Sequence, residues 1–300
     1  MSANPVGEGS GSGFRVTGPS TLTPHVATRN SPEASARQRV SGRADEQRAS
    51  GRPETHGGIA SDQSRVTSYE NGRICGCLVD CSYREFPEWL NHPEADLVEW
   101  RMDKFAVRHL MEEMKSFFTA LSEKPRLPVI ATNRPVREMG AFVGPEELRL
   151  DMLEEAAKSG ADWIDLEHDA GEDHIARFRQ AGAEVLLSWH NPAGTPSRKI
   201  LRAKLECMRR TGADALKVVT MAQSADDNLR VLELIPLAKK ELGIDLIAFC
   251  MGPAGNWSRL VNIFLGSPWT YAHFERQPEA APGQLSVSEM REMIRSFARD

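Results

Sequence analysis

The chain has 300 residues, a net charge of −5 and 40% hydrophobic residues, which are ordinary values for a globular protein. The acidic balance lacks the basic excess that nucleic-acid binding needs, so no nucleic-acid partner is expected. No run of about 18 apolar residues and no apolar leader segment is present, so we expect no membrane partner and a cytoplasmic location.

The first 70 residues differ in composition from the rest of the chain. They contain 9 of the 23 glycines and no lysine or tryptophan, and they are rich in Gly, Ser, Pro and Arg. A segment without apolar periodicity cannot bury enough surface to offset the entropy of ordering it. The composition therefore predicts a disordered tail over residues 1–70 and one folded domain over residues 71–300.

From Arg73 onward, short apolar runs alternate with longer amphipathic segments. The runs predict eight strands: Arg73–Val79, Asp96–Arg101, Pro128–Thr132, Trp163–Glu167, Glu184–Trp189, Ala215–Val219, Asp245–Cys250 and Trp269–His273. The segments between them predict helices: Val107–Leu121, Pro145–Ser159, Asp173–Ala181, Ser197–Thr211, Ala225–Leu242, Trp257–Leu265 and Ser286–Ala298. Gly-Ala-Asp or Gly-Ala-Glu joins a helix to the next strand at residues 160–162, 182–184 and 212–214.

This alternation favours an α/β fold of the (β/α)8 TIM-barrel type, for which ~250 residues is typical. A doubly wound open sheet is the alternative. Such sheets usually carry a glycine-rich phosphate-binding turn after the first strand. The segment Cys81–Arg84 does not have that composition.

The five cysteines are an odd number in a long chain, which indicates reduced thiols. Cys75, Cys77 and Cys81 are close together in sequence, so a metal site and buried core thiols are both conceivable. The C-x-C-x3-C spacing matches no standard zinc pair, which favours core thiols.

Polar side chains recur at every second position where the predicted strands end. In a parallel barrel such positions point inward and carry function. Since charged side chains are almost never fully buried unless paired, a buried ion-pair network and a functional site are the two interpretations. Recurrence on five successive strands favours a site made of Glu99, Arg101, Asp103, Thr132, Arg134, Asp165, Glu167, Ser188, His190 and Lys217.

Lys217 is notable because it lies within an apolar strand. Burying a charged ammonium is costly, which favours a neutral amine that can attack a carbonyl. An exposed lysine at a strand edge is the alternative. His190, one strand earlier, can take and return the protons that Schiff-base chemistry requires.

Several motifs follow one another in a specific order. They are Glu99-x-Arg101-x-Asp103, Thr132-x-Arg134-x3-Glu138, Asp165-x-Glu167, Ser188-x-His190, Asp214-x2-Lys217, Ser258-Arg259 and Ala281-Pro282-Gly283-Gln284. Together they resemble the type I 3-dehydroquinate dehydratase family, over about Arg73 to Ala298. The resemblance implies a (β/α)8 barrel that converts 3-dehydroquinate to 3-dehydroshikimate in the shikimate pathway, as a homodimer without metal or organic cofactor.

The resemblance also implies roles for single residues. Lys217 would form the imine, His190 would act as general acid and base, and Glu138 would orient His190. The substrate would be held by Glu99, Arg101, Arg134, Arg259 and Gln284, with Arg259 on its carboxylate.

Three departures from the family pattern lie close to these residues. Ala280 stands where the family often has Ser, and Met139-Gly140 stands where Gly-Gly is common. After His190, the segment Asn191-Pro192-Ala193-Gly194 stands where an acidic or amide residue and then Phe are usual. Another Schiff-base barrel such as a class I aldolase, or a catalytically silent regulatory relative, would be the alternative functions. The presence of both Lys217 and His190 disfavours the silent relative.

Overall fold

Eight short strands alternate with helices along the chain. A computed structural model describes residues 72–108 and 111–297. Its strands are β1 (Ile74–Leu78), β2 (Leu97–Arg101), β3 (Val129–Thr132), β4 (Trp163–Glu167), β5 (Glu184–Asn191), β6 (Ala215–Met221), β7 (Asp245–Met251) and β8 (Thr270–His273). All eight predicted strands are present, and β5 and β6 extend two residues beyond the predicted ends.

The strands form one parallel sheet with the order β7-β6-β5-β4-β3-β2-β1-β8. β1 pairs with both β2 and β8, so the first and last strands are neighbours and the sheet curves into a nearly closed barrel. A doubly wound sheet would reverse its strand order at a switch point, and the observed order runs without such a reversal. The predicted (β/α)8 barrel is confirmed.

The helices differ from the prediction in three places. They are α1 (Phe86–Trp89), α2 (Met102–Arg108), α3 (Met111–Leu121), α4 (Glu146–Lys158), α5 (Asp173–Gln180), α6 (Arg198–Arg210), α7 (Ala225–Leu232), α8 (Leu234–Leu237), α9 (Ser258–Phe264) and α10 (Val287–Phe297). Helix α1 was not predicted, and α2 begins directly after β2. The single helix predicted over Ala225–Leu242 is interrupted at Glu233, because Pro236 lacks the N–H that would bond to the Leu232 carbonyl, and after α8 it continues as π-helical turns over Ala238–Leu242.

The inward side chains of the strands change from apolar to polar along the barrel. An apolar floor fills one end of the interior and consists of Cys75, Leu97, Ile130, Trp163, Leu186, Ala215, Ile247 and Trp269. Two residues further along their strands come Glu99, Thr132, Asp165, Ser188 and Lys217, all buried. The outward side chains pack with the helices in a separate apolar core. The floor therefore supports a layer of buried polar groups.

The Gly-Ala-Asp repeats tie neighbouring strands together at the opposite end from that layer. The Asp162 carboxylate accepts a hydrogen bond from the Val129 backbone N–H (2.8 Å), and Asp214 accepts one from Val185 (2.9 Å). Gly160 has φ +105°, a conformation that favours glycine, where α4 turns into β4. The repeat thus ends a helix and fixes the start of the preceding strand.

The predicted disordered tail, residues 1–70, lies outside the described residues and stays a prediction. The described part of the predicted domain is the barrel. None of the helices within the described ranges is long and apolar enough to cross a membrane.

Candidate active site

A cavity of about 620 Å³, its open mouth included, lies at the carboxyl ends of the strands. The eight residues to which the resemblance gave roles all line it: Glu99, Arg101, Arg134, Glu138, His190, Lys217, Arg259 and Gln284. The other polar residues expected at the strand ends, Asp103, Thr132, Asp165, Glu167 and Ser188, are buried and are not among the lining residues. They come from β2, β5, β6, α9 and the loops after β3 and β8. The barrel thus brings together side chains that are up to 185 positions apart, from Glu99 to Gln284.

Lys217 is buried, with 4% of its surface exposed, so the alternative of an exposed lysine at a strand edge is wrong. Its Nζ lies 3.0 Å from Asp165 Oδ2, 3.5 Å from Glu99 Oε1 and 4.1 Å from the centre of the Tyr271 ring. Two carboxylates and an aromatic face stabilise an ammonium. The structure therefore differs from the expected apolar surroundings, because two carboxylates and an aromatic ring surround the Lys217 nitrogen.

Arg134 is the centre of a buried charge network. Its guanidinium contacts Asp165 (2.7 Å), Glu167 (2.7 Å), Ser188 (2.7 Å) and Glu138 (3.4 Å). Burial disfavours its charge, but the neighbouring carboxylates outweigh burial and raise the pKa of Arg134. Most of its donors are therefore used within the protein. Because Arg134 also lines the cavity, the buried ion-pair network and the candidate site share residues.

His190 and Glu138 form a close pair. His190 Nδ1 lies 2.9 Å from Glu138 Oε2. Burial opposes ionisation of Glu138, yet the nearby His168, the hydrogen bond with His190 and the Arg134 charge lower its pKa to about 2. Burial and then the Arg134 charge lower the pKa of His190 to about 4, although Glu138 opposes this. At neutral pH a neutral His190 donates its Nδ1–H to the carboxylate, which leaves Nε2 as an acceptor.

Arg259, on α9, is 1% exposed and differs from the other arginines of the cavity. Its guanidinium lies 4.3 Å from the centre of the Phe249 ring, and among the described residues no carboxylate pairs with it. Arg101, in contrast, makes two hydrogen bonds to Asp103 (2.9 and 2.8 Å). Burial lowers the pKa of Arg259 to about 10. A buried cation without a carboxylate partner is suited to an anion that comes from outside.

Gln284 holds the loop that precedes it. Its Oε1 accepts hydrogen bonds from the backbone N–H groups of Ala280 (2.9 Å) and Ala281 (3.3 Å), while its Nε2 donates to Cys77 Sγ (3.4 Å). Cys77 in turn donates to Glu99 (3.2 Å). Burial raises the pKa of the Cys77 thiol, so it stays protonated. Gln284 thus connects the loop that contains Ala280 and Ala281, which lines the cavity, to β1.

The clustered cysteines do not form one group. Cys75 and Cys77 point into the barrel, whereas Cys81 lies in the outer core. They are core thiols, as the sequence favoured. Among the described residues, a set of ligand atoms close enough to hold a cation comes instead from Glu138, His168 and Asp169.

Some neighbours of the reactive groups were not predicted. Tyr271 obeys the inward alternation on β8, but an aromatic residue in an apolar strand is typical of a core. Asp165 was expected at the site but was given no role, although it contacts both Lys217 and Arg134. Asp103, which was expected to continue β2, lies in the first turn of α2.

Comparisons with known proteins agree with this geometry. Residues 74–300 match the family model described as Type I 3-dehydroquinase. The 3-dehydroquinate dehydratase of Syntrophobacter fumaroxidans is 44% identical over 227 residues, covering 76% of this chain and 97% of that protein. The type I 3-dehydroquinate dehydratase structure from Clostridium difficile has a TM-score of 0.68 at 25% identity, covering 76% of this chain and 94% of that one. The Geobacillus kaustophilus structure reaches 0.67 at 29%, covering 76% and 93%. A match that spans the whole barrel at this identity leaves one conclusion: the chain belongs to the type I 3-dehydroquinase family.

Proposed function

We propose that this chain removes water from 3-dehydroquinate to give 3-dehydroshikimate, in the shikimate pathway, through an imine on Lys217. Family membership supports the reaction. The single observation that carries the chemistry is that a buried lysine and a partly buried histidine, paired with a buried glutamate, line the same cavity.

The imine activates the substrate. His190 accepts a proton from the Lys217 ammonium, and the resulting amine attacks the ketone carbon. The carbinolamine then takes a proton from His190 and loses water to give the imine. The imine draws electrons from the neighbouring carbon, so the C–H bond there becomes acidic. Asp165 and Glu99 are placed to stabilise the positive charge of a protonated imine, as they stabilise the ammonium.

His190 moves the protons. With Nδ1–H held by Glu138, its Nε2 is free to accept the proton from the acidic carbon. The same proton then passes to the departing hydroxyl group, which leaves as water. A second water hydrolyses the imine and regenerates Lys217 and the product ketone, so the net change is the loss of one water.

Arg259 is the best candidate for the substrate carboxylate, because it is a buried cation that lacks a carboxylate partner among the described residues. A guanidinium binds a planar anion through two parallel hydrogen bonds. Glu99 and Arg101 then face the hydroxyl groups of the ring. Arg134 contributes mainly through the charge network, and Gln284 holds the mouth.

Borohydride reduction in the presence of 3-dehydroquinate tests the imine. Peptide mass mapping is expected to find the substrate-derived adduct on Lys217 alone. Lys217→Met should abolish both trapping and turnover, whereas Lys199→Met, on the exposed surface of α6, should alter neither. An adduct on another residue, or turnover without trapping, would disprove the mechanism.

Replacing His190 by alanine tests the proton-transfer role. Turnover is expected to fall by about 10²- to 10⁴-fold, the usual contribution of general acid–base catalysis, while the imine still accumulates. Wild-type turnover would refute the role.

We also propose a cytoplasmic homodimer. All five cysteines are free thiols, which supports a reducing compartment. The dimer rests on the family resemblance, and light scattering coupled to size-exclusion chromatography measures it directly. A monomer mass would disprove it.

A further inference from the structure

A second imidazole faces the carboxylate of Glu138. While Oε2 contacts His190, Oε1 lies 3.7 Å from His168 Nδ1. His168 directly follows β4 and is not among the residues that line the cavity. Its Nδ1 is buried and lacks a hydrogen-bond partner among the described residues. A small rotation of either side chain would complete that bond, so Glu138 lies between two histidines.

The other nitrogen of His168 reveals which atom carries its proton. Lys204 Nζ lies 3.0 Å from His168 Nε2. An ammonium has donors but no acceptor, so Nε2 must be the unprotonated acceptor. A neutral imidazole then has its proton on Nδ1, which is the atom that faces Glu138.

Packing holds this arrangement in place. Lys204 Nζ lies 5.0 Å from the centre of the Trp189 ring, and the His168 ring meets the same indole at 6.3 Å and 73°. Trp189 is the outward neighbour of His190 on β5. Three elements, β4, β5 and α6, therefore fix the orientation of His168.

We propose that His168 is a positioning residue. The Lys204 ammonium keeps the imidazole proton of His168 on Nδ1, and that N–H orients the Glu138 carboxylate toward His190. The inference rests on the proposed function, because it needs Glu138 to serve His190. Arg134 also contacts Glu138, and Asp169 beside His168 is paired with Arg137 (3.2 Å). A carboxylate held at both oxygens presents one fixed acceptor to His190, which keeps Nε2 of His190 unprotonated and aimed at the substrate.

Nitrogen NMR of the histidine side chains tests the tautomer without substrate. In the full chain near pH 7.5, His168 is expected as the Nδ1–H form, assigned by its loss in His168→Asn. In Lys204→Met the Nε2–H form should gain population, whereas Lys199→Met should leave the spectrum unchanged. An Nε2–H tautomer in the unmodified chain, or an unchanged tautomer in Lys204→Met, would overturn the inference.

Kinetics of 3-dehydroquinate turnover test the consequence. His168→Phe keeps a ring against Trp189 but removes the donor, and we expect kcat to fall about tenfold, as for loss of one hydrogen bond to a charged group, with KM unchanged. His168→Asn places an amide N–H near the Nδ1 position and should recover most of that loss. Equal kcat in His168→Phe and the unmodified chain, or no recovery in His168→Asn, would refute positioning. Absence of turnover in the unmodified chain would instead refute the proposed function and leave the tautomer result standing.

Discussion

Replacing Arg259 by methionine should make the protein more stable and much less active. Its guanidinium is buried, stacks on Phe249 and has no carboxylate partner among the described residues. Methionine is flexible enough to fill the space left by the longer side chain. The variant therefore removes an isolated charge while it keeps most of the packing.

The expected gain in the free energy of unfolding follows from the pKa of Arg259, which burial lowers from 12.5 to about 10. Each pKa unit corresponds to 1.36 kcal/mol, so keeping this group charged costs the native state roughly 3 kcal/mol. Because the pKa is depressed on folding, the cost is fully present below pH 10 and disappears only above the unfolded value. The lost contact with Phe249 subtracts about 1–2 kcal/mol. The net gain of about 1–2 kcal/mol corresponds to a Tm rise of about 2–8 °C.

Calorimetry and steady-state kinetics on the same preparations check both effects. We expect kcat/KM to fall at least about 100-fold, because a hydrogen bond to a charged group contributes about 1.5–3 kcal/mol and two are lost. Arg276→Met is the matched control: its side chain is 71% exposed beside Glu88 and lies 5.0 Å from the centre of the Trp89 ring, so Tm should not rise and activity should not change. A lower Tm for the Arg259 variant would show that the buried charge is compensated, and an unchanged kcat/KM would show that another group binds the carboxylate.

Three further outcomes are expected. The acid limb of kcat/KM should have its midpoint near pH 4, because the base must be neutral and the pKa of His190 is held to about 4; a midpoint near the ordinary 6.5 would contradict this. Asp162→Ala should lower the free energy of unfolding by about 1–3 kcal/mol through lost bonds to Val129 and Arg126, while kcat stays unchanged; a large loss of kcat would link this end of the barrel to the chemistry. Deleting residues 1–70 should leave kcat and KM unchanged, because no expected site residue lies there; a folded but inactive truncated protein would contradict it.

The strands could be predicted because each is a short apolar run that ends near a glycine or a polar residue. Helix boundaries were harder, since they depend on single residues. Pro236 breaks a segment whose apolar spacing looks continuous, and α1 is only four residues long, too short to show a period. Local sequence thus predicted the order of elements better than their ends.

Eight of the side chains that line the cavity could be predicted, but several of their contacts could not. Alternation on a strand places Lys217 and Asp165 on the inner face, yet it does not tell which carboxylate reaches which cation. Arg134 was expected to bind substrate, while its contacts with Asp165 and Glu167 depend on side-chain reach across neighbouring strands. The lack of a carboxylate partner for Arg259 likewise could not be predicted, because it depends on where the packed barrel places every Asp and Glu side chain.

The apolar floor makes the reaction chamber open at one end. Residues such as Leu97, Leu186 and Trp269 fill the barrel beneath Lys217, so water cannot reach the imine from below. In the proposed mechanism, everything passes through the mouth beside Gln284. The substrate enters there, two waters leave, the hydrolytic water arrives and the product exits. In that mechanism, the covalent bond to Lys217 therefore keeps the intermediate in the barrel while water passes it, so substrate, water and product use the same opening one after another.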